Sequence, residues 1–224
     1  IGVEDITIHV NHRGIFNRFL ANIDCAPKSE DILRTVDKLA KVGETEVRQE
    51  LESITGSADA AAKILDYIEP QKDFATTLTH LEMLAGGEGE DTKRMKDIYA
   101  MMQAAGIADS YVLDPSITRG LDYYTGVVYE TFLNEYRELG SVCSGGRYEN
   151  LAEYYTNKKL PGVGISIGLT RLFYKLNEMN LINADKKSIA QVLIIPMVED
   201  MTIPIKIAND LRNNGINTEV FLND

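Results

Sequence analysis

Metal-ligating and redox side chains are scarce in this chain: two cysteines and three histidines in 224 residues. Cys25 and Cys143 lie far apart and make no metal-ligand spacing. That predicts reduced thiols in a cytoplasmic protein, with a disulfide as the alternative reading. His9, His12 and His80 form no HExxH pair, so solvated or capping roles are expected of them. No apolar run approaches the length of a membrane span, and no signal-peptide pattern opens the sequence. The GxSxG elbow is missing too, which leaves nucleophilic hydrolase chemistry without support. Basic residues are in deficit, 23 Lys and Arg against 34 Asp and Glu, for a net charge of −11. This argues against a protein that coats polyanions through many phosphate contacts, while leaving room for a local basic site.

What is present suits a folded protein. Hydrophobic residues make up 44% of the chain, enough for a sizeable core in one large domain, or one domain plus part of another. The alternating, β-branched DITIHV reads as a strand, followed by a helix with Ile15, Phe19 and Ile23 on one face. From Pro27 to about Gly106 the texture becomes helical and charged. SEDILRTVDKLAKVG reads as one helix with a capping candidate at Ser29 and a stop at Gly43. Further helices are expected in ETEVRQELESITG, SADAAAKILDYIEP and FATTLTHLEML. DTKRMKDIYAMMQAAGI follows, with Met95, Ile98, Met102 and Ala105 on one face. Strands resume in SYVLDP, GVVYETFL and PGVGISIG, and LTRLFYKLNEMN is helical. Beyond the linker NADKKS, AQVLIIPM suits a parallel strand covered on both faces, and a helix closed by Gly215 leads to INTEVFL. The boundaries drawn are 1–26, a helical insertion at 27–106, 107–183, and a small α/β unit at 188–224. The start at Ile1 and the stop just after a strand read as a fragment of a longer polypeptide.

Three glycine-marked segments carry the chemistry. In ITRGLDYYTGVVYE, strand alternation places Leu121, Tyr123, Val127 and Tyr129 on one face and Asp122, Tyr124, Val128 and Glu130 on the other. The second face is oddly polar. Arg119 stands across Gly120 from it, and a guanidinium suits bidentate contact with carboxylate or phosphate. An edge strand with a surface Arg119–Asp122 ion pair accounts for these residues equally well. Arg119 and Tyr124 have opposite parity, so reaching one ligand requires a bend or bulge near Gly120. In SVCSGGRYENL, Gly145 and Gly146 permit positive φ or a close approach, and Arg147 and Tyr148 sit at the mouth of an expected short helix. An ordinary turn is the simpler reading of that segment alone. In GVGISIGLTRLF, Gly162, Gly164, Ser166 and Gly168 leave one strand face nearly bare and open to a flat ligand. Arg171 follows in the first helical turn, where anions are favoured. Neither the P-loop ending nor the dinucleotide glycine spacing is present.

Taken in order, the three segments resemble the histidyl-tRNA synthetases. RGLDYYTG is similar to that family's histidine-specific signature, CSGGRYENL to its second, and GVGISIGLTRL to motif three of the class II synthetases. The resemblance implies an α+β fold: part of a class II antiparallel-sheet catalytic core with a helical insertion, then the start of an α/β anticodon-binding domain. It implies ligation of histidine to its tRNA through a histidyl-adenylate, with ATP as substrate and Mg2+ bridging the phosphates. By the same resemblance Arg119 is the catalytic residue, contacting the α-phosphate and the carboxylate. Tyr123, Tyr124, Tyr148, Gly145 and Gly146 would shape the histidine pocket, and Arg119, Gly164, Gly168 and Arg171 would hold ATP. No resident metal ligand is expected. The insertion would approach the tRNA acceptor stem, and the complete enzyme would be a cytoplasmic homodimer.

The departures matter too. Motifs one and two lie upstream in this family and have no counterpart here, so the isolated chain is expected to be inactive. Thr170 stands where an acidic residue is usual before the motif-three arginine. A catalytically inactive, histidine-sensing regulatory subunit of ATP phosphoribosyltransferase is the alternative, but such a regulator needs no arginine at a reacting phosphate.

Overall fold

The computed structural model describes residues 5–117, 124–149, 156, 160–182 and 188–221. The chain divides into two compact units, residues 1–175 and 176–224.

The first unit is mixed α and β. Strand β1 (Ile6–His12) runs into helix α1 (Arg13–Asn22), whose first N–H groups are capped by His12, its side chain accepting from the Gly14 amide. A capping role expected of the histidines is therefore filled by His12. Helices α2 (Ser29–Val36), α3 (Leu39–Val42), α4 (Glu44–Thr55), α5 (Ala58–Ile68), α6 (Phe74–Leu84) and α7 (Glu90–Ala104) follow. The single helix expected over Ser29–Gly43 is broken at Asp37 and Lys38, where a tightened bond joins Lys38 N–H to the Thr35 carbonyl at 3.1 Å. Lys38 then reaches Glu50 at 2.8 Å. Ser29 lies inside α2 without capping it, the cap position being Lys28. The glycine stops hold: Gly43 and Gly56 adopt φ of +87° and +74°, which other residues reach only with strain. Ser57 and Asp73 cap α5 and α6 through their side chains.

Strands β2 (Tyr111–Leu113), β3 (Tyr124–Leu133), β4 (Cys143–Tyr148) and β5 (Gly162–Ile167) join β1 in a sheet of order β2-β1-β3-β4-β5. Only the β1–β2 pair is parallel. Val10 pairs with Tyr129, and both pack on the helices, whose fully buried side chains include Ile15, Phe16, Phe19, Ile32, Leu51, Ile64, Tyr67 and Met95. Val127 joins this layer, so one face of the signature strand is core, as its alternation predicts. Arg18 locks α1 to the α6–α7 turn. Its Nε and Nη2 donate to Asp91 at 2.9 Å each, and its Nη1 donates to the carbonyls of Ala85 and Gly87. Helix α8 (Leu169–Glu178) begins directly after β5.

The second unit contains a parallel pair, β6 (Val192–Ile194) and β7 (Thr218–Val220), joined through helix α9 (Thr202–Asn213). Arg212 ties the end of α9 to β7 by donating twice to the Thr218 carbonyl. The strand-helix-strand order matches the sequence reading, but coverage of both faces does not. Leu193 and Ile195 are 54% and 60% exposed, since pairing of Leu193 with Glu219 satisfies the backbone without covering a side-chain face.

Candidate active site

The three glycine-marked segments become three adjacent strands. Tyr124 pairs with Tyr148, and Tyr148 with Gly162, so one residue from each segment stands in a single row. The next rows are Val128–Gly146–Gly164 and Glu130–Ser144–Ser166. Between the first two rows β3 uses four residues where β4 uses two, a bulge at Thr125–Val127. Two added residues preserve parity, so Tyr124 shares a face with Val128 and Glu130 as well as with Tyr148. Gly126 sits in the bulge, with Arg147 packed on it so closely that an added Cβ would meet Arg147 Cδ at 2.9 Å. The irregularity thus lies downstream of Tyr124. Gly120, where a bend was expected, falls outside the described residues.

Arg147 and Tyr148 close strand β4, between β3 and β5, and the short helix expected after them falls outside the described residues. Gly145 and Gly146 do not take positive φ; they serve close approach. A Cβ at Gly146 would lie 2.8 Å from Tyr124 Cδ1, and one at Gly162 would lie 2.7 Å from the Tyr148 ring. The strip expected to be bare is therefore a floor for the Tyr148 ring, which covers Gly162 and reaches over Gly164, while Tyr124 lies on Gly146 of the next strand. On the opposite face Gly145 makes room for the Gly164 carbonyl and for Tyr129, whose hydroxyl donates to that carbonyl at 2.7 Å. Burial pushes the Tyr129 phenol and the Cys143 thiol above their ordinary pKa values.

Beside these strands opens a cavity of about 1660 Å³. Tyr124, Glu130, Gly145, Ser144, Ser166 and Gly168 line it, with Ile117 at one side. Arg171 projects into it from the first turn of α8, its Nη1 donating to the Ser141 carbonyl at 3.0 Å. Gly168 N–H donates to Val142 O at 2.8 Å, ending β5 against the start of β4. The far wall is α2, through Leu33 and Arg34, and the break that follows it, through Asp37 and Lys38, with Arg13 nearby. Cations and carboxylates both face this space, as recognition of a zwitterion and a polyphosphate requires.

Of the residues singled out in the sequence, Tyr124, Gly145, Gly168 and Arg171 line the cavity, while Tyr148, Gly146 and Gly164 stand in the same strands without lining it. Arg119 and Tyr123 lie outside the described residues. The α2 wall was not foreseen, and no local pattern in SEDILRTVDK signals it. A second unforeseen feature is the turn at Asp114–Ile117, whose Asp-Pro-Ser sequence is a turn signal. Asp114 accepts from Ser116 N–H and Oγ, and His9 Nδ1 lies 2.7 Å from its other oxygen. Burial raises the Asp114 pKa, but these hydrogen bonds outweigh it and hold the carboxyl below the usual range.

Comparison with known proteins fits this geometry. The family model described as histidyl-tRNA synthetase matches residues 1–172. The chain is 53% identical to a histidine–tRNA ligase of Treponema denticola, with 99% of the chain and 50% of that protein covered. It is 43% identical to a histidine–tRNA ligase of Clostridium tetani, covering 100% and 52%. The crystal structure of the histidyl-tRNA synthetase from Nostoc sp. PCC 7120 superposes with a TM-score of 0.75 at 32% identity, over 100% of the chain and 54% of that structure. The chain spans about half the length of the curated relatives it matches.

Proposed function

The chain belongs to the histidyl-tRNA synthetase family, and from that premise we propose that it supplies the signature strands of a histidine–tRNA ligase. The observation that carries the reading is the row Tyr124–Tyr148–Gly162, which brings all three motif segments side by side at the edge of one cavity. In this reading histidine's carboxylate attacks the α-phosphate of ATP, giving histidyl-adenylate and pyrophosphate. The histidyl group then passes to the terminal ribose of the tRNA. Arg119 is assigned to the α-phosphate and the substrate carboxylate, where a fixed guanidinium stabilises charge as it develops. Tyr123, Tyr124 and Tyr148, together with Gly145 and Gly146, are assigned to the imidazole, whose two nitrogens suit phenol partners. Gly164, Gly168 and Arg171 are assigned to ATP.

Among the described residues no three His, Cys, Asp or Glu side chains gather to hold a metal. Magnesium is assigned to the substrate, bridging the phosphates of ATP. Residues 27–106 are assigned to the acceptor stem and residues 188–224 to the start of an anticodon-binding domain, in a cytoplasmic homodimer. Among the described residues no helix is long and apolar enough to cross a membrane.

The test is histidine-dependent exchange of pyrophosphate into ATP by a protein of the relatives' full length that carries this chain. Exchange that requires histidine supports the reading. Its absence favours the catalytically inactive histidine-sensing alternative.

A further inference from the structure

The turn that leads toward the 118–123 stretch is fastened to three consecutive residues of β1. Asp114 N–H donates to the Val10 carbonyl at 2.9 Å. Asn11, only 3% exposed, uses its whole amide. Its Nδ2 donates to the Pro115 carbonyl at 3.2 Å and the Ile117 carbonyl at 3.1 Å, while its Oδ1 accepts from His12 N–H at 2.8 Å. His9 holds the Asp114 carboxylate from the same edge of β1. Arg137 Nη1 lies 3.1 Å from His9 Nε2. A guanidinium can only donate, so Nε2 accepts, and Nδ1 carries the proton given to Asp114. Ile117 N–H closes the turn onto the Asp114 carbonyl at 3.2 Å.

A buried amide carries a desolvation cost that an apolar residue in mid-strand avoids. The β1 ladder needs nothing from this side chain, and its two donors go to the turn alone. Ile117 lines the cavity and lies two residues before Arg119 in the chain. At the other end of the 118–123 stretch, Tyr124 is fixed by its pairing with Tyr148.

We propose that Asn11 is a positioning residue for adenylate formation: by holding the Pro115 and Ile117 carbonyls it fixes the cavity wall at Ile117, two residues before Arg119 in the sequence. This rests on the functional reading given above. Positioning at a reacting centre acts on turnover, since displacement of about 1 Å can cost on the order of 100-fold in rate. Histidine affinity, assigned to the separately anchored tyrosines, changes little.

The test uses Asn11→Asp, nearly isosteric, which keeps the acceptor for His12 N–H but loses both donors to the turn. Ser116→Ala removes one bond at the rim of the turn and puts the fold at little risk. Pyrophosphate exchange is measured in the full-length protein, and amide hydrogen exchange is followed over 114–117. Expected are a kcat lowered roughly 10- to 100-fold in Asn11→Asp with the histidine KM within about threefold, and a smaller drop in Ser116→Ala. Faster amide exchange confined to the turn should accompany both. An unchanged kcat in Asn11→Asp overturns the proposal, as does a loss that merely follows the fraction folded. If the unsubstituted protein shows no histidine-dependent exchange, the functional reading fails instead. The amide data then decide whether Asn11 fixes the turn: faster exchange over 114–117 upholds that, and unaltered exchange overturns it.

Discussion

Replacing Gly145 with alanine should loosen the sheet at the centre of the candidate site. The new methyl group would meet the Gly164 backbone carbonyl and approach the Tyr129 hydroxyl to 2.6 Å. A flexible side chain could turn away, but a carbonyl of the neighbouring strand moves only if β4 and β5 separate. Overpacking of this kind costs about 1–3 kcal/mol, and loss of the Tyr129–Gly164 hydrogen bond about 1 more. Restricting the unfolded chain returns at most about 1 kcal/mol. The net loss should be about 2–3 kcal/mol, or roughly 5–10 °C in Tm for a unit of this size. The readout is clean, because the chain has no tryptophan and all 11 tyrosines fall between Tyr67 and Tyr174, inside the first unit. Near-UV tyrosine dichroism during urea unfolding therefore reports on that unit alone. Tyr129→Phe, which deletes only the hydrogen bond, should cost about 1 kcal/mol and isolate the steric share. A Gly145→Ala protein as stable as its parent would refute the close strand approach.

Three further outcomes are expected. Asp91→Ala strands the Arg18 guanidinium against carbonyls and should destabilise the first unit by about 2–4 kcal/mol in urea titrations, whereas exposed Glu44→Ala should shift the midpoint hardly at all. Burial lowers the His12 pKa, so the fold favours the neutral ring that caps α1. That contribution is complete above the ordinary value of about 6.5 and is lost as pH falls through the lowered one. The urea midpoint should decline on acidification into this range, and His12→Asn, which keeps a capping acceptor, should flatten the decline. Finally, Gly162→Ala forces the Tyr148 ring off its floor. It should raise the histidine KM of the full-length protein by roughly 10-fold, about 1.4 kcal/mol of lost binding, with ATP affinity nearly unchanged.

Much of this architecture was readable in the residues, for identifiable reasons. The helix stops at Gly43 and Gly56 are local events that local chemistry decides, whereas the cap expected at Ser29 lies inside α2. The polar face of ITRGLDYYTGVVYE followed from alternation, and its parity survived because the bulge adds two residues rather than one. Strand β4 was hidden. Cys-Ser-Gly-Gly-Arg-Tyr has weak strand propensity, and its glycines imitate a turn. It is a strand because β3 and β5 pair with it on both sides, a tertiary cause that no local window contains. The same holds for α2, which walls the cavity only once the helices have packed. The roles of Tyr148, Arg119 and Arg171 came from family resemblance. The residues alone offered an arginine beside a polar strand face and left a surface ion pair equally open.

The most direct test of the central claim is pyrophosphate exchange by a full-length protein carrying this chain, with and without Arg119→Ala. The account predicts exchange that depends on histidine and on no other amino acid, and its loss in Arg119→Ala with the near-UV tyrosine signal intact. Exchange that proceeds without histidine, or that survives removal of Arg119, would contradict it.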